Sequence, residues 1–329
     1  MLISICIPTY NRPDELKNCL NSLSLQTNLK FEVCISDNCS KTNVASIVEP
    51  YRNKLNIKFS KNDENLGAAL NFLKAASMAT NEFIWFLGDD DLLIPNAVED
   101  LTNLINQNKD CDFFWINSFH LNANFLKKFK KPFDTHNLPK KMMTLSNKRK
   151  SEKMMFFDLI RHSISFDYLL AAYTSVFKRK GWAENQGIIN KQLIKDKNPW
   201  SNFDNTCFHI KIFCEAFNNS KVYFYSTALS VNLHGIREWK DIYPMIEIIR
   251  IPEALDYYRS KGMSFFQYIY EKNYSLRNFF NYYLKVMINS EKNGYKFANY
   301  KKQFLKNLIY PNSWLSILYF LVRKLKNIL

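Results

Sequence analysis

Glycine is scarce in this chain: seven occur among 329 residues, and the first is Gly67. That shortage excludes the glycine-rich phosphate cradles, since neither G-x-G-x-x-G nor G-x-x-x-x-G-K-[ST] occurs. A dehydrogenase, a P-loop enzyme and a nucleotidyltransferase with a Gly-rich first loop all lose support, and diphosphate charge would have to be met by a metal. The seven cysteines are odd in number, have no C-x-x-C spacing and sit among apolar neighbours. They are expected as reduced core residues of a cytosolic protein. No apolar run reaches the ~18 to 20 residues of a membrane span, and MLISICIPTY has neither a basic n-region nor a small-residue cleavage site. The expectation is a soluble or peripheral protein. Acid is missing from the far end, where no Asp or Glu follows Glu291.

What is present is a formal charge of +15, which suggests a polyanionic partner, either nucleic acid or an anionic membrane surface. From Lys240 onward there are 15 Lys or Arg against 6 Asp or Glu, so that segment carries +9 of the total. A second basic patch runs from Leu126 to Lys153. A chain of 329 residues, 47% of them hydrophobic, can bury one large domain and still extend beyond it.

The chain is organised around FIWFLGDDDLL, Phe83 to Leu93. An apolar run of this length ending in a turn residue reads as a strand buried on both faces, with three aspartates at its carboxyl end. Adjacent carboxylates repel, so they either stay solvated or hold a cation such as Mg²⁺ or Mn²⁺ that bridges substrate phosphates. The blander alternative is an acidic turn in which Asp91 caps the helix opened by Pro95.

Around this stretch, strand and helix alternate. Strands are expected at Ile3–Ile7, Phe31–Ser36, Leu55–Phe59, the FIWFL run and Phe113–Asn117. Helices are expected from Pro13, over Val44–Tyr51 with a kink or early end at Pro50, over Leu66–Met78 and from Pro95. Such alternation predicts an open, mostly parallel α/β sheet with helices on both faces, whose ligands bind beyond the strand ends. Polar residues cluster at those ends: Thr9 to Arg12, Asp37 with Asn38, and Asp89 to Asp91. From about residue 120 to 165 the pattern loosens into a connecting or acceptor-side segment. Tyr168–Phe177 and Val222–Val231 read as strands, with a helix over Phe208–Phe217 between them, and the chain after Lys240 reads as helical.

The ordered set IPTYNRPDEL (Ile7 to Leu16), CISDN (Cys34 to Asn38), ENLGAALNF (Glu64 to Phe72) and FLGDDD (Phe86 to Asp91) resembles the inverting glycosyltransferases of family 2. Its wording is most similar to their abequosyltransferase-like, surface-polysaccharide branch. The resemblance is clear over the first third and looser to about Gly235. It implies a GT-A fold at 1–238, divided into a nucleotide-sugar half (1–118) and an acceptor half (119–238), followed by a helical extension at 239–329. Pro8, Thr9, Tyr10, Asn11 and Arg12 would line the nucleotide pocket, Asp37 would accept from the base, and Asn65 and Asp89 would contact the donor. The family's first metal-binding carboxylate is replaced by Gly88, which leaves Asp90 as the expected ligand of Mn²⁺ or Mg²⁺, with Asp91 and His234 as further metal candidates.

The family's general base comes from an acidic pair opening a helix before the final strand. Counting back from Val222, that slot falls on Phe208 and His209, so His209 is the expected base and Asp204 the runner-up. The resulting expectation is an enzyme that passes a sugar from a nucleotide donor to a hydroxyl of a lipid-linked bacterial surface glycan, on the inner face of the cytoplasmic membrane. Trp314, Leu318, Leu321, Leu325 and Ile328 form an apolar stripe on a C-terminal helix, with Arg323, Lys324 and Lys326 away from it. That stripe suits an anionic membrane surface or, alternatively, the protein's own core or a second copy. The rival readings are a catalytically silent GT-A-like partner and a basic nucleic-acid-binding protein.

Overall fold

The structure is a computed structural model that describes residues 1–235, 239–291, 294–297 and 299–326. Strands β1 (Ile3–Thr9), β2 (Glu32–Asp37), β3 (Asn56–Lys61) and β4 (Phe83–Phe86) alternate with helices α1 (Pro13–Ser24), α2 (Val44–Val48) and α3 (Ala68–Ser77). The short β5 (Leu92–Leu93) leads to α4 (Ala97–Gln107) and β6 (Phe113–Asn122). Then come β7 (Met143–Thr144), β8 (Glu152–Met155), β9 (Ser175–Lys178), α5 (Arg179–Asn185), α6 (Phe203–Phe217) and β10 (Lys221–His234). Beyond β10 the described chain is helical: α7 (Trp239–Met245), α8 (Ile251–Ser260), α9 (Phe265–Ser275), α10 (Phe279–Ile288), α11 (Tyr300–Asn307) and α12 (Pro311–Lys326).

The strands join one mixed sheet in the order β3-β2-β1-β4-β9-β6-β10-β5, with β7 and β8 pairing beside it. β1, β2, β3 and β4 run parallel, as do β6 and β10, while β9 lies antiparallel between β4 and β6. Alternate residues of each strand serve opposite cores. Ile5, Ile7, Val33, Ile35 and Trp85 pack with Leu16, Leu20 and Leu101 on one face, and Cys6, Cys34, Ile84 and Phe86 pack with Ala75, Phe208 and Phe213 on the other. This two-sided burial is why the strands read as continuous apolar runs. α1 opens as its sequence predicts, with Pro13 at its start and Asp14 and Glu15 in its first turn. α2 ends at Val48 and a single 3₁₀ turn carries Pro50.

Several expectations need correction. Of the Tyr168–Phe177 segment only the last three residues are strand, in β9, and Tyr168 and Leu169 turn into the left-handed region at φ +52° and +74°. The stretch after residue 120 has a small apolar cluster of its own, in which Leu126 and Phe133 pack on Leu92, Val231 and Leu233. The boundary expected at residue 238 lies outside the described residues. All seven cysteines are unpaired, and every one except Cys39 is buried.

At the head of β2, Glu32 is buried and accepts from the Ser4 hydroxyl (2.5 Å), the Thr80 amide (2.6 Å), the Thr80 hydroxyl (2.8 Å) and Lys58 (2.9 Å). Burial opposes its charge, but these donors outweigh burial and bring its pKa down from 4.5 to about 2. A folded-state value below the unfolded one contributes stability above the unfolded value, and that contribution is lost as pH falls towards about 2. Glu32→Gln is therefore expected to cost about 2 kcal/mol at pH 7, with wild type and variant converging in acid. Denaturation curves across that pH range check it.

Candidate active site

The parallel pairing of β4, β1 and β2 sets three polar strand ends side by side. Thr9, the last residue of β1, donates its hydroxyl to Asp89 Oδ2 at 2.8 Å. Arg12 extends one guanidinium nitrogen to both Asp89 (3.5 Å) and Asp90 (3.3 Å). The side chain of Asp90 is fully buried and that of Asp89 nearly so, so the guanidinium offsets part of the repulsion between them. Asn11, left-handed at φ +53°, joins two strand ends: its N–H donates to Ser40 Oγ (2.8 Å) and its Oδ1 accepts from the Lys41 amide (2.9 Å). Pro8 is half-buried and Tyr10 is exposed.

Asp37 closes β2 and is completely buried. Its Oδ1 accepts from the Ser40 amide at 2.9 Å, whereas its Oδ2 has no hydrogen-bond partner among the described residues. A buried carboxylate oxygen left unmet is costly, so a donor brought to it on ligand binding would be favourable. Next to it, Asn38 donates to Asn65 Oδ1 (2.8 Å) and accepts from the Leu66 amide (2.8 Å), and Asn65 Oδ1 also accepts from the Gly67 amide (2.8 Å). Gly67 has φ +84°, and a Cβ there would lie 2.9 Å from the Lys197 Cα. Both the turn and the close approach of the loop before α6 require glycine.

Beyond the aspartates opens a cavity of about 860 Å³. Gly88 and Asp91 form its rim on the strand-tip side, and its walls are largely apolar, with Phe72, Phe86, Phe166, Leu170, Trp200 and Phe208 prominent. Tyr243, Ile246 and Tyr282, from the helices after β10, complete it. Thr9, Arg12, Asp37, Asp89 and Asp90 are not part of its wall, so the polar strand-tip cluster and the cavity are adjoining compartments.

Asp91 does not cap α4. Its Oδ2 accepts from the Gly88 amide (3.1 Å) and its Oδ1 from Asn232 (2.8 Å), which closes the turn and ties it to β10, while Asn96 stands at the start of α4. His234 is exposed at the end of β10 and lines the cavity. His120 lies opposite Asn232 in the register and also lines the cavity; burial and then the neighbouring His234 hold its pKa below the usual imidazole value. Among the described residues no three His, Cys, Asp or Glu side chains gather into a metal-holding group. Asp91 is bonded to Gly88 and Asn232, and Asp90 carries the Arg12 contact.

α6 starts at Phe203 and breaks at Cys207 (φ −128°, ψ 29°), so Asp204 lies in its first turn, while Phe208 and His209 open the run after the kink, at the slot reached by the count back from Val222. Asp204 is buried in an ion pair with Lys211, accepts from the Asn190 amide (3.0 Å) and is not part of the cavity wall. His209 does line the cavity. Its Nε2–H donates to the Leu169 carbonyl at 3.1 Å, its Nδ1 is buried without a partner among the described residues, and burial lowers its pKa to about 4. The imidazole is neutral at pH 7.

Sequence reading missed Asp167, a buried carboxylate in the cavity wall. The Ser165 hydroxyl donates to its Oδ1 (2.5 Å) and the Ala171 amide to its Oδ2 (3.1 Å). The left-handed pair Tyr168–Leu169 follows directly, a conformation costing about 1–3 kcal/mol per non-glycine residue unless its surroundings enforce it. Here they do: Tyr258 donates its hydroxyl to the Tyr168 carbonyl (3.0 Å), and the Tyr168 hydroxyl donates to the Glu271 carboxylate (3.1 Å). His120 and Asn232 were also missed, although Asn232 and His234 share one strand face at i, i+2 spacing.

The model of glycosyl transferase family 2 matches residues 4–169. The abequosyltransferase of Salmonella typhimurium is 40% identical over 119 residues, which are 34% of this chain and 36% of that protein. The poly(ribitol-phosphate) beta-N-acetylglucosaminyltransferase TarS of Staphylococcus aureus is 36% identical over 110 residues, 32% of this chain and 19% of that protein. The matched stretch thus spans well under half of these relatives. In solved structures, TarS residues 1–349 in complex with UDP-GlcNAc superpose with a TM-score of 0.63 at 19% identity, covering 90% of this chain and 79% of that one. A Pyrobaculum calidifontis mannosyltransferase in complex with GDP-Man and Mn²⁺ gives a TM-score of 0.53 at 12% identity, covering 99% and 86%.

Proposed function

We propose, for a chain that belongs to glycosyl transferase family 2 and has its GT-A fold, that it passes a glycosyl group from a nucleotide-sugar donor to a hydroxyl of a surface glycan, with inversion at the anomeric carbon. The observation that carries this reading is the buried Asp37 Oδ2, unmet among the described residues. A nucleobase N–H would supply the donor it lacks; Thr9 is its register partner on β1 and Asn65 is bonded to the adjacent Asn38, and Tyr10 and Arg12 would contribute from the loop that follows Thr9. Asp89, held by Thr9 and Arg12, faces the donor's ribose or sugar.

The hard oxygen donors at the aspartate tip fit Mn²⁺ or Mg²⁺, and one or two protein carboxylates suffice where phosphate and water complete the shell. Asp90 would hold such an ion, with Asp91 and His234 in support; when bound it neutralises the leaving diphosphate. Arg12 adds a fixed positive group beside the same tip, aimed where charge develops as the donor bond breaks.

The acceptor, in this reading, is lipid-linked and met at an anionic membrane surface. No described helix is long and apolar enough to cross a bilayer, but α12 packs inward through Ser313 and Ser316 and leaves Trp314, Leu315, Leu318, Tyr319, Leu321 and Val322 exposed. Eight Lys or Arg and no acid follow Glu291, a composition that suits anionic headgroups. Leu325, Ile328 and the basic side chains from Arg323 onward lie outside what the structure describes.

A thermal-shift panel of UDP, GDP, CDP and dTDP, each with and without Mn²⁺, tests the donor assignment. One nucleotide is expected to raise Tm by several degrees, more with Mn²⁺, because ligands of the folded state stabilise it. No shift with any of them would remove the nucleotide-sugar reading.

A further inference from the structure

Transfer to a hydroxyl requires a base. Asp91, His120 and His234 line the strand-tip end of the cavity, with both oxygens of Asp91 engaged; towards α6 three further groups come into question. Asp204 is engaged with Lys211 and the Asn190 amide outside the wall. His209 faces the cavity with its Nε2–H committed to Leu169. Asp167 is a carboxylate in the wall, held in place by the Ser165 hydroxyl and the Ala171 amide, with the Leu169 amide and its own amide also donating towards it. Its turn is held from three helices: His209 of α6 on Leu169, Tyr258 of α8 on the Tyr168 carbonyl, and Glu271 of α9 on the Tyr168 hydroxyl. A left-handed, non-glycine pair fixed from three sides beside an apolar cavity is a place where fold stability is given up for the aim of one side chain.

We propose that Asp167 is the general base of the reaction. This rests on the transferase reading above. As the acceptor oxygen bonds to the anomeric carbon, the bond from that carbon to the diphosphate oxygen breaks, its electron pair leaves with the nucleoside diphosphate, and the hydroxyl proton passes to the Asp167 carboxylate and on to solvent. The apolar wall suits the role, since burial raises the pKa of this carboxyl above its usual value and makes it a stronger base than an exposed aspartate. Tyr243 of α7 and Tyr258 of α8 face it, and burial raises both, so they stay neutral through the working range. His209 is uncharged above about pH 4.

The test uses the full chain and water as acceptor: release of nucleoside diphosphate from UDP-GlcNAc, GDP-mannose, and CDP- and dTDP-sugars. Asp167→Asn is expected to lower kcat at least about 10²-fold, to leave nucleotide affinity and Tm near wild type, and to abolish the acid limb of the kcat/KM profile. Asp167→Glu should recover part of the rate. The proposal is overturned if Asp167→Asn stays within a few-fold of wild type while Asp204→Asn or His209→Ala loses activity. It is also overturned if the Asp167→Asn rate falls only in step with nucleotide affinity. Should Asp167→Asn not fold, the wild-type profile decides: an acid limb above the usual carboxylate range supports Asp167, and a limb at about pH 4 or none refutes it. If wild type binds nucleotides yet releases diphosphate from no sugar in the panel, this proposal fails and the nucleotide site stands. If it binds none, the transferase reading fails first.

Discussion

The Asp90→Asn protein is expected to fold as wild type does and to turn over its nucleotide sugar at least about 10²-fold more slowly, the loss seen when one strong electrostatic group leaves an active site. Asparagine keeps the volume of this fully buried side chain and its contact with Arg12 is weakened, not replaced by a clash. What disappears is one negative charge of the polar tip, paired with Arg12. If that charge holds a divalent cation on the diphosphate, UDP or GDP will bind the variant equally well with and without Mn²⁺, whereas wild type binds better with it. Activity that survives the substitution, or that is undiminished in excess EDTA, would leave Arg12 as the cation serving the diphosphate and remove the metal from the reaction.

The second large effect belongs to α12. Leu318 and Leu321 are 59% and 50% exposed, so replacing both with aspartate leaves the fold intact and strips the outward face of apolar area worth about 2 kcal/mol per leucine. Wild type is expected to pellet with vesicles containing anionic lipid, more weakly in high salt, and the double variant to lose at least about 10²-fold in vesicle affinity. A chain ending near Tyr310 should behave like the variant. Should wild type ignore vesicles and instead form a concentration-dependent dimer that the double substitution breaks, the face belongs to a second copy.

Much of the site was legible because its residues sit where periodicity changes. Thr9 and Asp37 each end a buried strand and Asp89 sits in the turn just after one, and a polar residue at the end of an apolar run is visible without coordinates. The roles of Asp204 and His209 depended on the shape of α6: Asn202 caps its start by accepting from the Asn205 amide, and the kink at Cys207 lets a second helical run begin at Phe208, where the count back from Val222 places it. A cap of that kind is easily passed over when apolar spacing alone is counted. Asp167 was invisible for a different reason. Its segment has strand-like composition, and only the tertiary clamps from Tyr258 and Glu271 force Tyr168 and Leu169 out of the extended region. The stripe on α12 was plain in the sequence, but its direction was not. The inward hydrogen bonds of Ser313 to Asn307 and of the Phe280 amide to Ser316 decide that.

The place of β9 in the sheet bears on how the protein comes off the ribosome. β4 and β6 are not neighbours; Phe83 to Trp85 and Phe113 to Trp115 are all paired with residues 175–178. A nascent chain that has emerged only as far as Asn122 therefore carries two aromatic strands with open edges, and the segment that fills the gap is still to be translated. Contacts across such separations form slowly, and open strand edges are where chains pair wrongly. The first 122 residues cannot close their sheet by themselves during synthesis: it is completed only by a strand delivered more than fifty residues later, and until that strand arrives the growing polypeptide is exposed to mispairing.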